Sequence, residues 1–179
     1  MGQMQVTQAL YRAVTGQSPS HFKGDQHPVE QVNWEDSIAF CNALSQKLGL
    51  SPCYEGTGNS AGFNANANGF RLPFENEWEW AARGGQTFTY AGSENLDDVG
   101  WYRDNSGETT HPVGQKKANG YGLFDLSGNV WEWCNDDYEN PGSYRPGAGQ
   151  RVIRGGAWGY PADYCRVADR GDGANPDYI

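Results

Sequence analysis

The sequence predicts an α+β fold, with two main helices followed by long loops and small antiparallel sheets. Helical periodicity ends near residue 84, and β-rich runs appear only after residue 120. The chain also combines 25 glycines and 9 prolines, which favour turns, with 24 aromatic residues (7 Trp, 10 Tyr and 7 Phe) that can pack between them. Helices followed by short strands are typical of α+β folds. A length of 179 residues fits one domain, 1–179, with a sizeable core.

Two helices are predicted from their ends and their apolar spacing. Asn33 and Asp36 stand in the positions of a capping box, and apolar residues at helical spacing follow until Gly49. The stretch PFENEWEWAARGG has Pro73 at its start and glutamates near its positive end, and it stops at Gly84. A shorter helix is predicted earlier, in VTQALYRAVTG.

Long polar stretches separate these helices from the strands. GTGNSAGFNANANG and GSENLDDVGWYRDNSGETTHPVGQKKANGYG follow neither the helical nor the strand period, so we expect loops there. LFDLSGNVWEWC and RVIRGGAW then supply short strands. Loops of this length in a compact domain are usually functional or stabilised, commonly by a metal ion.

Charge and hydropathy exclude two classes of partner. A net charge of -9 and a pI near 4.7 argue against nucleic acid, whose binding needs clustered lysine and arginine. No run of apolar residues is long enough to span a membrane, so no membrane span is expected. The start, MGQMQVTQAL, lacks the pattern of a secretory signal. The compartment stays open.

The four cysteines form no C-x-x-C pair, so zinc and thioredoxin-type chemistry have no support. Two disulfides or four buried thiols are both compatible with the spacing.

Five stretches, in order, carry a family resemblance. They are MGQMQVTQALYRAVTGQSPSHFKG, HPVEQVNWEDSIAFCNALSQKLGLSPCYE, GFRLPFENEWEWAARGG, NGYGLFDLSGNVWEW and RVIRGGAW…CRVADR. The chain resembles the formylglycine-generating enzyme (sulfatase-modifying factor) family over nearly its whole length. The resemblance implies a C-type-lectin-like α+β fold rich in loops. Family members usually carry a strand before MGQMQVTQ and end on one containing IGFR, so terminal strands are expected to be missing here.

The stretch FDLSGNVWEW has the features of a calcium loop. Asp125 and Glu132 offer carboxylates, Gly128 permits a sharp turn, and the carbonyls of Gly128 and Val130 can face a hard cation. The family carries a calcium site on this motif, and the resemblance implies a structural calcium ion at these four positions. A tight turn with solvated carboxylates is the alternative.

The enzymes of this family need two nearby cysteines for copper-dependent thiolate chemistry. The matching segment, GGAWGYPADYCRVADR, contains only Cys165. No catalytic residue and no copper are therefore expected, and Cys165 is expected to pack against, or bond to, Cys134. A formylglycine-generating-type oxidase acting on a protein cysteine remains an alternative, as does a structural member of a surface assembly.

We call residues 154–179 the C-terminal segment. It resembles one branch of the family, the variable proteins diversified by retroelements, whose members share the frame RGGSW…A…CR.A.R….NPD. The matching residues are Arg154, Gly155, Gly156, Trp158, Ala162, Cys165, Arg166, Ala168, Arg170, Asn175, Pro176 and Asp177. Such systems randomise template adenines, often in AAC codons, and every residue between the frame positions is reachable from AAC. An ordinary loop would use the same residue types, so the interpretation as an undiversified loop also stays open.

This resemblance implies a non-enzymatic protein that displays a diversified surface to a protein or other macromolecular ligand. Tyrosine supplies rigid contact area, while glycine and aspartate adapt. We expect Trp158, Arg166 and Arg170 to be scaffold, with acidic partners such as Glu132 or Asp136. A cell-surface, extracellular or virion location is suggested by resemblance alone. The candidate ligand-binding residues are Gly159, Tyr160, Pro161, Asp163, Tyr164, Asp169, Gly171, Asp172, Gly173, Ala174, Tyr178 and Ile179.

Overall fold

A computed structural model describes residues 1–176 and confirms the predicted α+β class. The α-helices of this part of the chain are α1 (Gln8–Thr15), α2 (Trp34–Lys47), α3 (Glu75–Arg83) and α4 (Leu96–Val99), and a 3-10 helix spans Ala162–Cys165. The strands are β1 (Tyr54–Glu55), β2 (Gly62–Phe63), β3 (Glu132–Asp137) and β4 (Arg151–Arg154). Tyr178 and Ile179, predicted as ligand-binding residues, lie outside the described residues.

The helix ends form as their sequences predict. The Asn33 side chain accepts a hydrogen bond from the Asp36 N–H at 2.8 Å, and Asp36 accepts one from the Asn33 N–H at 3.2 Å. Helix α1 is capped by Thr7, whose hydroxyl oxygen accepts from the Leu10 N–H. It ends where Gly16 takes a φ of 78°. Local capping chemistry therefore determines where these helices begin and end.

Helix α4 and strand β2 lie within stretches that were predicted as loops. Helix α4 is a single turn that buries Leu96 and Val99, and β2 pairs antiparallel with β1, with Tyr54 opposite Phe63. Neither element is long enough to produce a helical or alternating pattern, so periodicity could not reveal them.

Strands β3 and β4 form the antiparallel sheet that supports the C-terminal segment. Glu132 lies opposite Arg154 and Trp133 opposite Ile153, and an irregularity shifts the register before Asp137. Beyond β4 the chain returns to the same sheet, where Ala174 pairs with Arg151. The C-terminal segment is thus attached to the sheet at its start and again at Ala174.

Among the described residues, buried apolar side chains form three clusters. The first lies between α1, α2 and β1, the second joins α3 to β3 and β4, and the third includes α4. Val167 belongs to the second cluster and Cys165 to the third. The C-terminal segment is therefore anchored by its own buried side chains. None of the helices within residues 1–176 has the length and hydropathy to cross a membrane.

Candidate functional site

The C-terminal segment starts with a sharp turn that only glycine fits. Gly155 and Gly156 have φ angles of 95° and 75°, a region that favours glycine. A Cβ atom on Gly156 would lie 2.6 Å from the Cys165 sulfur. The Gly128 N–H donates to the Gly155 carbonyl at 2.7 Å, which joins this turn to the loop before β3. The Gly-Gly pair is thus part of a rigid frame.

Trp158 fixes the next part of the segment, as expected of a scaffold residue. Its N–H donates to the carbonyl of Asn129 at 2.9 Å, and its own carbonyl accepts from the Ser106 hydroxyl at 3.0 Å. Its ring meets the Phe22 ring edge to face, with 5.2 Å between centroids. Three separate parts of the chain therefore hold Trp158.

An aromatic cluster lies beside this frame. Trp131 meets Tyr160 at 5.3 Å and Tyr164 at 6.4 Å between centroids, and the two tyrosine rings are 5.4 Å apart. Tyr160 is 39% exposed, and the other two residues are half-buried. We call Trp131, Tyr160 and Tyr164 the aromatic face. Trp131 was not predicted as a site residue, and no motif other than its place before Glu132 indicated it.

The structure divides the predicted ligand-binding residues by exposure. Gly159, Tyr160, Asp163 and Asp172 are exposed, whereas Pro161, Tyr164, Asp169 and Gly173 are half-buried. A side chain added at Gly159 would meet nothing within 4 Å. These residues are available to a ligand to different degrees.

Gly171 and Ala174 are buried, which corrects their prediction as surface positions. The Gly171 N–H donates to the Ile153 carbonyl at 3.2 Å, and Ala174 exchanges two main-chain hydrogen bonds with Arg151. A Cβ atom on Gly171 would lie 2.6 Å from Ile153 Cγ1. Pairing with β4 makes both residues part of the sheet, which spacing along the sequence could not show.

The arginines of the frame form their ion pairs with acidic residues other than Glu132 and Asp136. Arg154 is 2% exposed and pairs with Glu75 at 3.2 Å and Glu79 at 2.8 Å. Arg170 also pairs with Glu75, at 2.9 Å. Arg166 lies on the surface and pairs with Asp163. The acidic partners of the buried and half-buried arginines therefore come from α3, and Arg166 is not a core anchor.

All four cysteines are buried free thiols, so the Cys134–Cys165 disulfide considered above is not formed. Cys134 packs with Trp78 and Val152 in one cluster, while Cys165 packs with α4 in another. Burial raises the pKa of the Cys165 thiol to about 12. Cys165 is accordingly a protonated core residue at neutral pH.

Oxygen atoms of all four predicted calcium positions surround the side-chain amide of one residue, Gln5. The Gln5 amide nitrogen lies 3.1 Å from the Asp125 carbonyl, 3.4 Å from the Gly128 carbonyl, 2.9 Å from the Val130 carbonyl and 3.0 Å from Glu132 Oε1. Asp125 contributes its main-chain oxygen to these contacts. Its carboxylate oxygen Oδ2 accepts from the Gly114 N–H at 2.7 Å, and Oδ1 is buried without a hydrogen-bond partner. Gln5 was not predicted as a site residue.

The electrostatics of this oxygen cluster suit a cation. Burial raises the pKa of Glu132 to about 7, and both hydrogen-bond donors to its carboxylate, Gln5 and Trp78, are uncharged. Within residues 1–176 no three His, Cys, Asp or Glu residues gather as metal ligands. A cation here would be held mainly by main-chain oxygens, which is the chemistry of hard ions such as calcium. The residues present fit that ion.

The chain belongs to the sulfatase-modifying factor family, because the family described as "Sulfatase-modifying factor enzyme 1-like domain" matches residues 1–177. The resemblance inferred from the five motifs is thereby confirmed. Among solved structures, "Treponema denticola variable protein 1" has a TM-score of 0.89 and 39% identity, and the match covers 97% of this chain and 78% of that one. The fold is therefore of the formylglycine-generating-enzyme type, as predicted.

Two curated relatives have different names. The chain is 38% identical to "Chaperone protein LppX" of Paenibacillus barcinonensis, over 99% of this chain and 76% of that protein. It is 34% identical to the formylglycine-generating enzyme of Streptomyces coelicolor, over 80% of this chain and 47% of the enzyme. The match thus takes in less than half of that enzyme, and the family includes both enzymes and proteins whose names denote no enzyme.

Proposed function

We propose that this protein binds a protein or other macromolecular ligand without catalysing a reaction. Its binding surface comprises the aromatic face and the neighbouring exposed residues Gly159, Asp163 and Asp172. The observation that carries the proposal is the contrast within one segment: a buried frame alternates with exposed side chains that contribute little to the core. The similarity to Treponema denticola variable protein 1 supports it.

The frame would act by display. Buried groups such as Arg154 and Cys165 hold the segment in place, so its exposed positions can change without loss of folding. Tyr160 and Tyr164 offer rigid, amphipathic contact area, and Gly159 leaves open space for other side chains. The proposal includes diversification of these positions from AAC codons, which a near-identical template beside a reverse transcriptase gene would support.

The alternative is an oxidase of the formylglycine-generating type, because the chain is also similar to enzymes of that name. Thiolate chemistry needs an accessible cysteine with a lowered pKa. Cys165 has the opposite properties, since it is fully buried and its pKa is raised. Incubating the protein with copper and a cysteine-containing sulfatase peptide tests this alternative by mass spectrometry. Conversion of the peptide cysteine to an aldehyde would refute the non-enzymatic proposal.

The proposal also includes a structural calcium ion held by Asp125, Gly128, Val130 and Glu132. Trp131 lies between two of these residues in the sequence, so an ion there would stabilise the main chain that carries one ring of the aromatic face.

A pair of display libraries tests the binding surface. One library randomises Gly159, Tyr160, Asp163 and Asp172, and its matched control randomises the buried positions Gly155, Gly156, Gly171 and Ala174. Both are displayed on yeast, scored for folding by protease resistance, and selected against hen lysozyme as a model ligand. We expect most surface variants to fold and some to bind, and most control variants to unfold. Equal losses of folding in the two libraries, or no binders from the folded surface variants, would contradict the proposal.

A further inference from the structure

The two ends of the Gln5 side-chain amide are unequally matched to their surroundings. Its nitrogen carries only two hydrogens but faces four oxygen atoms, from Asp125, Gly128, Val130 and Glu132. Its oxygen, Oε1, is buried without a hydrogen-bond partner. Buried amide groups normally have partners for both atoms, so this arrangement requires an explanation.

We propose that Gln5 is an additional calcium ligand and that its amide turns when the ion binds. Without an ion, Nε2 faces the cluster and partly neutralises its four oxygens. With calcium at the centre, the amide presents Oε1, and the ion is held by five protein oxygens. This inference rests on the proposed calcium site but not on the proposed ligand-binding surface.

The geometry favours an ion over a permanent amide. The four oxygens lie 2.9–3.4 Å from the Gln5 nitrogen, so they already surround one point. Calcium–oxygen distances are about 2.3–2.6 Å, so an ion at that point needs a modest contraction of the oxygens and a withdrawal of the Gln5 side chain as its amide turns. Calcium takes about 6–8 oxygen ligands, so five protein oxygens leave room for water. The turned amide would place a fifth oxygen against four others, and only a cation makes that arrangement favourable.

The position of Gln5 gives calcium binding a structural effect. Gln5 lies just before α1, and the neighbouring Val6 carbonyl accepts a hydrogen bond from the Val29 N–H. The Phe124 N–H donates to the Gln3 carbonyl at 3.0 Å, which brings the N-terminal segment beside the cluster. An ion bound by Gln5 and Glu132 would join segments that lie 127 residues apart in the sequence. Calcium should therefore raise the melting temperature of the whole domain.

Gln5→Glu is the informative variant, and Gln8→Glu is its matched control. Gln8 is also a buried glutamine, but its amide is satisfied: its nitrogen donates to the Phe22 and Pro28 carbonyls, and its oxygen accepts from the Gly24 N–H. The melting temperature of each protein is measured in EDTA and in calcium, and calcium affinity is measured by titration calorimetry.

We expect Gln5→Glu to melt below the wild type in EDTA, because a carboxylate then faces four oxygens. In calcium it should bind the ion about tenfold more tightly than the wild type, since an added charge strengthens a calcium site. Gln8→Glu should lose stability in both buffers, with unchanged calcium affinity. Gln5→Leu, which removes the ligand without adding charge, should bind calcium at least about tenfold more weakly.

Each outcome decides the proposal. A wild type that binds calcium while Gln5→Glu and Gln5→Leu bind it equally well would overturn the role of Gln5 and leave the calcium site standing. No calcium response in the wild type would overturn both. If Gln5→Glu fails to fold in EDTA, refolding it in calcium and titrating Gln5→Leu still decides the question. The display libraries score the binding surface separately.

Discussion

Replacing Arg154 with alanine should destabilise the protein strongly, because Arg154 joins the C-terminal segment to α3. Its guanidinium is buried between Glu75 and Glu79, donates to the Val167 carbonyl at 2.7 Å and lies 5.0 Å from the centre of the Trp78 ring. The substitution removes two ion pairs, leaves a buried carbonyl without a donor and opens a cavity.

The size of the effect follows from what remains after the substitution. Breaking a buried ion pair costs about 3–5 kcal/mol when the remaining charge is left alone. After the substitution Glu75 is still paired with Arg170 and Glu79 with Arg83, so neither carboxylate is left without an ion-pair partner. We therefore expect a loss of about 3 kcal/mol in the free energy of unfolding. For a chain of this length, that corresponds to a fall of roughly 6–12 °C in Tm.

Urea unfolding followed by tryptophan fluorescence measures the loss, since the chain contains 7 tryptophans. Arg166→Ala is the matched control, because Arg166 belongs to the same frame but is half exposed in its pair with Asp163. Exposed pairs contribute about 0–1 kcal/mol. Equal losses for Arg154→Ala and Arg166→Ala would refute the view that the buried arginine holds this segment.

Three further predictions concern the rest of the scaffold. Hydrogen bonds from Arg71 hold the pKa of Glu77 below its usual 4.5. The pair therefore adds its full stability above pH 4.5 and loses it as the pH falls through the lowered pKa of the folded protein. Glu77→Gln should flatten the acid side of a plot of Tm against pH. Tyr54→Phe removes the donor to the buried Asn135 Oδ1 and should cost about 1–3 kcal/mol in urea unfolding. Asn33→Ala removes the cap of α2 and should cost about 1 kcal/mol, measured by circular dichroism during thermal unfolding.

The sequence predicted features that depend on neighbouring residues. The cap of α2 at Asn33, the end of α1 at Gly16 and the strands around Trp133 and Ile153 were all found where local patterns placed them. The family motifs also identified the loop around Gly128, whose oxygens converge in the structure. Capping, periodicity and motif spacing act over a few residues, so they are readable without coordinates.

Only the tertiary structure decided which residues of the C-terminal segment face outward. Gly171 and Gly159 are the same residue type in the same kind of loop, yet Gly171 is paired with β4 and Gly159 is open to solvent. Trp131 joined the aromatic face, and Gln5 joined the oxygen cluster, through contacts between segments far apart in the chain. Burial and convergence depend on how distant segments pack, and that information is absent from local patterns.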